Sequence, residues 1–158
     1  LVQGPAYAGG IGLVTACDIA IASETAAFSI TEVKLGLIPA VISPFVVAAI
    51  GPRAARRYFL TGERFSAEEA YRMGLVHQVV PADELEATGQ GLVEMILKNG
   101  PKSLDAAKDL IASVMGRPID DAVFDDTSER IADIRASDEG KEGIASFLEK
   151  RKPNWIVE

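Results

Sequence analysis

The chain of 158 residues has one cysteine, one histidine and one tryptophan. Cys17 has no partner for an internal disulfide, and Cys17 with His77 leaves too few soft ligands for a closed zinc site. Positive charge is also scarce, with 16 Lys+Arg against 23 Asp+Glu and a formal net charge of -7. That deficit argues against non-specific binding to nucleic acid or to an anionic membrane, since both need a basic surface. The longest charge-free apolar stretch, 35–52, is broken by Gly36, Pro39, Pro44, Gly51 and Pro52, so it does not read as a spanning helix. There is no initiator Met and no polar lead-in before Val2, which reads as the end of a buried strand, so Leu1 reads as a cut edge. Any targeting peptide would lie upstream. What remains is 48% apolar and 25% charged, the balance of a soluble globular domain long enough for a proper core.

The texture changes along the chain. Residues 1–65 are rich in Gly, Ala, Ile and Val. Residues 66–152 hold most of the charge and read as successive helices. The first part predicts a short strand ending near Gln3, a Gly-Pro turn, and a short buried helix over Leu13 to Ala16. A strand over Cys17 to Ala22, covered on both faces, and a second over Ala27 to Ile30 follow. This order points to a right-handed crossover in a layered α/β unit. Glu32 to Pro39 reads as a loop or single turn. Helices follow over Ser43 to Ile50 and Arg53 to Thr61, with Pro44 in the first turn and Gly51 as C-cap. Ser66-Ala67-Glu68-Glu69 matches a capping box, with Ser66 as cap and Glu69 reaching back. Leu75 to Val80 reads as a strand. Apolar residues at helical spacing predict four further helices, around Leu85 to Leu97, Leu104 to Val114, Ile119 to Ile134 and Ile144 to Leu148.

Two features carry candidate chemistry. Gly9 and Gly10 lie where a strand turns into a helix. Free N–H groups at such a start can hold an anion, or a carbonyl oxygen that becomes negative during reaction. The alternative is that glycine permits close strand–helix packing. The run lacks the Lys-Ser/Thr ending of a phosphate loop and the full dinucleotide fingerprint. Glu32 sits among Phe28, Ile30, Val33, Leu35, Leu37 and Ile38. A carboxylate at a strand end in such surroundings is suited to taking up and returning a proton. Its alternative is a solvated turn cap or an ion pair with Lys34 or an arginine. His77 reads as structural and Cys17 as a small buried hydrophobe. Asp18 reads as pairing with a backbone group or an arginine. Arg53, Arg56 and Arg57 read as a solvated helix face, and Lys150-Arg151-Lys152 as the basic end of a helix.

Taken in order, several stretches resemble the crotonase superfamily, the enoyl-CoA hydratase/isomerase enzymes. They are 4–10, 16–23, Ala27-Phe28, 32–39, Leu60-Thr61-Gly62, 67–80 and 149–153. The resemblance covers nearly the whole chain. It implies an α/β crotonase-like spiral of β-β-α units lacking its N-terminal part, with residues 1–80 as the C-terminal part of the spiral core. Residues 81–158 would be a helical region for oligomerisation and active-site cover, in trimers or paired trimers. It implies an acyl-CoA thioester substrate, with coenzyme A as part of that substrate and no separate cofactor or metal. The compartment would be the cytoplasm, or the mitochondrial matrix in a eukaryote. By the family's pattern Gly9 supplies one of two backbone N–H donors to the thioester oxygen, the other lying upstream, and Glu32 is one of two glutamates. The other glutamate falls on Gly12, which has no side chain. Tyr7, Ala8, Gly10, Thr31, Leu37, Pro39, Phe45 and Lys150 would line the substrate site.

Hydration of an enoyl-CoA is the activity the resemblance implies. Double-bond isomerisation by one glutamate and a non-catalytic subunit are alternatives, and little activity is expected of these 158 residues alone. The 39–45 stretch with Gly51 to Thr61 further resembles hydratases of methylglutaconyl-CoA and isohexenylglutaconyl-CoA. Their extra carboxylate would give an arginine of the 53–57 group a purpose.

Overall fold

The computed structural model describes residues 1–156. The chain separates into two compact units, Leu1–Gly91 and Leu92–Glu158. That geometric division lies beyond residue 80, where the sequence passes from strands to helices.

The first unit is built on short strands. β1 (Ala6–Tyr7) pairs in parallel with β3 (Ala27–Ser29), and β3 pairs antiparallel with β4 (Arg64–Ser66). β2 (Ile21–Ser23) runs parallel to β5 (Gln78–Val80), and Val2 adds a parallel bridge to Ala22. α1 (Gly9–Thr15) lies between β1 and β2, which belong to different sheets; the parallel connections run from Val2 to Ala22 and from β1 to β3. A 3-10 turn over Glu32–Leu35 follows β3, and then come α2 (Ser43–Thr61), α3 (Ala67–Arg72) and α4 (Leu85–Leu97).

Phe28, Ile11, Ile30 and Val46 are fully buried. The Phe28 and Phe65 rings stack at 5.6 Å, and Tyr58 tilts against Phe65 at 4.3 Å. Phe28 and Phe65 are opposite each other in the β3–β4 register, so this aromatic pair fastens the strand from which Glu32 emerges. Ser29, also buried, donates from Oγ to the Gly62 carbonyl at 3.0 Å. Gly62 itself closes α2 with φ 56°.

Several sequence expectations need correction. α1 starts at Gly9, not Leu13, and Leu13 is 74% exposed, because the helix buries Ile11 and Gly12 instead. β2 begins at Ile21, since its partner β5 offers only three residues of ladder. Cys17 is exposed in the turn after α1, its Sγ 3.3 Å from the Leu13 carbonyl, and not a buried hydrophobe. The two helices read over 43–50 and 53–61 hold: α2 spans 43–61 but is broken at Gly51, whose φ of 73° and ψ of 163° are not helical, as a C-cap glycine requires. Ser66 caps α3 by accepting from Glu69 N at 3.2 Å. The Glu69 carboxylate does not reach back to it, being held by the Tyr58 hydroxyl at 3.0 Å and by Arg72. Ala6–Tyr7 forms a strand that two residues are too short to announce by periodicity.

The second unit contains α5 (Pro101–Val114), α6 (Asp121–Ala136) and α7 (Asp138–Glu149), packed pairwise. Asp120 caps α6 and Ser137 caps α7 through side-chain oxygens. Glu139 accepts from the Lys102 and Ser103 amides at the start of α5, at 3.0 and 2.7 Å. Arg151 pairs with Glu142 and Glu149, so part of the basic 150–152 tail is neutralised within the unit. No helix among the described residues is long and apolar enough to cross a membrane.

Candidate active site

The β1–β3 ladder sets the geometry. Tyr7 lies opposite Ser29, and the pairing continues one step further, because Ala8 N donates to the Ser29 carbonyl at 2.9 Å. The two strands are parallel, so both chains leave the ladder at the same end. Gly9 is two residues beyond Tyr7, and Glu32 three residues beyond Ser29. Neighbouring strands lie about 4.8 Å apart. The Gly9 helix start and the turn that carries Glu32 thus follow the same end of two adjacent strands, across a gap of 22 residues in sequence.

Ala8 makes the turn from strand to helix in one residue, with φ 47° and ψ -119°. This is glycine territory, and a residue with a Cβ is strained there by about 1–3 kcal/mol. The twist fixes the peptide plane that carries the Gly9 N–H. As the first residue of α1, Gly9 has no acceptor one helical turn earlier, and its N–H bonds no acceptor among the described residues. A side chain at Gly9 would meet nothing within 4 Å, whereas one at Gly10 would touch Ala6 Cβ at 3.8 Å. Gly9 thus faces open space, and Gly10 packs on its own strand.

Glu32 opens the 3-10 turn with Thr31 preceding it. Its backbone is held by Leu37 N, which donates to the Glu32 carbonyl at 3.0 Å. The side chain is half-buried. Its Oε2 is fully buried and has no hydrogen-bond partner among the described residues. Leaving a buried acceptor unsatisfied costs about 1–3 kcal/mol, more when it is charged, so such atoms are rare outside functional sites. Neither Lys34 nor an arginine pairs with Glu32, so the ion-pair alternative does not hold among the described residues.

The other sequence candidates divide. Tyr7 is on β1, with the Arg64 guanidinium 5.3 Å from its ring. Thr31 adjoins Glu32, and the turn continues to Leu37, which is 58% exposed. Pro39 is buried, and Phe45 lies half exposed in the first turn of α2. Lys150 belongs to the second unit, where it ends α7 with φ 55°. Gly12 is buried, and a Cβ there would overlap Ile42 Cγ2 and lie 3.0 Å from Ile42 Cβ. Its missing side chain therefore has a packing cause. Ala8 is among the residues expected to line the site, but its strained backbone was not legible in the sequence, and Ile42, for which no local signal exists, escaped it altogether. His77 is structural, its Nδ1 accepting from Ala20 N at 3.1 Å.

Arg53, Arg56, Arg57 and Arg72 line a separate cleft of about 710 Å³ with Tyr58, Glu69 and neighbours. Neither Gly9 nor Glu32 lines it. Arg57 makes a two-point pair with Glu63 at 2.7 and 3.2 Å. The Arg72 guanidinium, with the Tyr58 hydroxyl, outweighs burial and holds the Glu69 carboxyl down at about 2.

A family described as enoyl-CoA hydratase/isomerase matches residues 1–157. The chain is 38% identical over 154 residues to an enoyl-CoA hydratase homologue of Thermus thermophilus, covering 98% of this chain and 60% of that protein. It is 30% identical over 158 residues to a carnitinyl-CoA dehydratase of Salmonella typhi, with the same two coverages, 98% and 60%. Among solved structures, an enoyl-CoA hydratase from Shewanella pealeana superposes with a TM-score of 0.92 at 49% identity, over 96% of this chain and 57% of that one. The fold is therefore crotonase-like, and the chain spans about 60% of the length of these relatives.

Proposed function

The chain belongs to the enoyl-CoA hydratase/isomerase family, and from that premise we propose that it is the catalytic part of a hydratase that adds water reversibly across the double bond of an enoyl-CoA thioester. The observation that carries this reading is the buried, unpartnered Oε2 of Glu32, in the turn that follows the same end of the β1–β3 ladder as the Gly9 helix start. Water adds its oxygen to the β-carbon, and the electron pair of the double bond moves onto the thioester oxygen as an enolate. Gly9 N–H donates to that oxygen while its charge develops, a contribution of the kind worth about 10²–10³ in rate per donor. Glu32 takes the proton from the attacking water and returns it to the α-carbon. One carboxylate thus serves as base and then as acid. Coenzyme A enters as part of the substrate, with no separate cofactor.

A second reading is a double-bond isomerase, favoured by the absence of any side chain at position 12. Glu32 would then carry a proton between two carbons of a 3-enoyl thioester. The finer reading of the acyl group, branched or carboxylated, rests on the 39–45 stretch together with Gly51 to Thr61. Residues 81–158 are proposed as the helical region for active-site cover and for the contact of a trimer or paired trimer.

The test is loss of the ultraviolet absorbance of a conjugated enoyl-CoA, using protein made from its complete reading frame. Wild type should consume the absorbance, and Glu32→Gln should lower kcat by about 10²–10⁴. An isomerase would instead create absorbance from a 3-enoyl-CoA. Equal behaviour of wild type and Glu32→Gln on both substrates refutes both readings and leaves the non-catalytic subunit.

A further inference from the structure

α1 has three glycines, and they are not equivalent. Position 9 has free space and position 10 ordinary contact, but position 12 has no room at all. The obstacle is Ile42, itself 7% exposed and packed in the same core cluster as Ile11 and Val46. Ile42 is the residue on which α2 starts. Its carbonyl accepts from Val46 N at 3.0 Å, so its backbone is anchored by the helix. The Ile42 Cβ is fixed by that backbone. Its two branches hold a restricted χ1, so the side chain cannot simply turn aside.

We infer that Gly12 and Ile42 are a matched pair that keeps this site to a single carboxylate, with Ile42 as the specificity-determining member. The inference deepens the reading of a Glu32-centred site and rests on it. Where the family's pattern has a second glutamate, this chain places the branched side chain of Ile42, inserted from the opposite element. Proton traffic is thereby confined to Glu32. An acidic residue at 12 is compatible with this fold only if residue 42 gives up its branch.

The experiment has two arms, both on protein from the complete reading frame. The first is a thermal-unfolding cycle of wild type, Gly12→Ala, Ile42→Ala and the double variant. Gly12→Ala should lower Tm by roughly 5 °C or more through overpacking, and the double variant should lose clearly less than the two single losses combined. The second arm measures hydration by Gly12→Glu and Gly12→Glu/Ile42→Ala against pH. Gly12→Glu should lose at least about tenfold in kcat/KM, and Ile42→Ala should restore part of it. The restored variant should also gain a second inflection in the carboxylate range that wild type lacks. The inference is overturned if Gly12→Ala stays within about 1 °C of wild type, or if the Tm losses simply add. It is overturned equally if Gly12→Glu is as active as wild type, or if an active double variant keeps the wild-type pH profile. Should no form hydrate any enoyl-CoA, the proposed activity fails, while the Tm cycle still decides whether the two positions are matched.

Discussion

Replacing Ala8 by glycine should stabilise the protein. Position 8 has φ 47° and ψ -119°, where a Cβ collides with the flanking peptides. Relief of that strain is worth about 1–3 kcal/mol. Two effects oppose it. Glycine loosens the unfolded chain by about 0.4–1 kcal/mol, and the half-buried methyl forfeits about half of the ~0.8 kcal/mol of a buried carbon. The balance is a gain of about 1 kcal/mol, or a rise in Tm of about 2–4 °C for a chain of this size. Urea unfolding with the slope held in common gives the difference directly, and Ala8→Val provides the converse, since a branched side chain at this φ should be worse than alanine. An Ala8→Gly midpoint at or below wild type, with unchanged slope, would refute the claim that the turn into α1 is strained. Hydration by Ala8→Gly then asks whether the strain aims the Gly9 amide: looser aim should lower kcat and leave KM nearly unchanged.

Two further outcomes follow from the network around α3. The folded Glu69 carboxyl lies at about 2 against an ordinary 4.5, so its contribution is present above the ordinary value and is lost as pH falls from about 4.5 towards 2. Glu69→Gln should be less stable than wild type at pH 7 by about 1 kcal/mol, discounted for the exposure of its partner Arg72, and the gap should close in that acid window. A gap independent of pH, measured by chemical unfolding across the range, would dismiss the charge on Glu69 as its source. Ser66→Ala removes the oxygen that accepts from Glu69 N at 3.2 Å, and urea unfolding should report a loss of about 1 kcal/mol, with Ser66→Asp near wild type.

Periodicity found α4 to α6 because each keeps an apolar stripe over about three turns, and α7 only in its second half, since 138–143 carry no apolar side chain; the Ser66 cap was legible because its residues are local. The strands of the first unit were harder. At two or three residues each, they are defined by partners distant in sequence, as β2 is by β5, so the run 17–22 misled about where pairing begins. Glu32 stood out as a lone acid in apolar company, and Gly9 as a helix start. That the two share one end of a ladder is a fact of register that no window of sequence contains. Leu13 was misjudged for a related reason: an apolar residue on a seven-residue helix can face either way, and here Ile11 and Gly12 go inward, Gly12 against Ile42, while Cys17 lies in the turn after α1 and outside the strand it was read into.

The parallel pairing of β1 with β3 works as a gauge. The spacing between the amide at 9 and the carboxyl at 32 is measured by main-chain hydrogen bonds, which nearly any sequence can make. The exposed turn over 16–19 lies outside that ladder and could be recoloured or exchanged while the ladder still closes at Tyr7 and Ser29, whereas the buried β2 that follows could not.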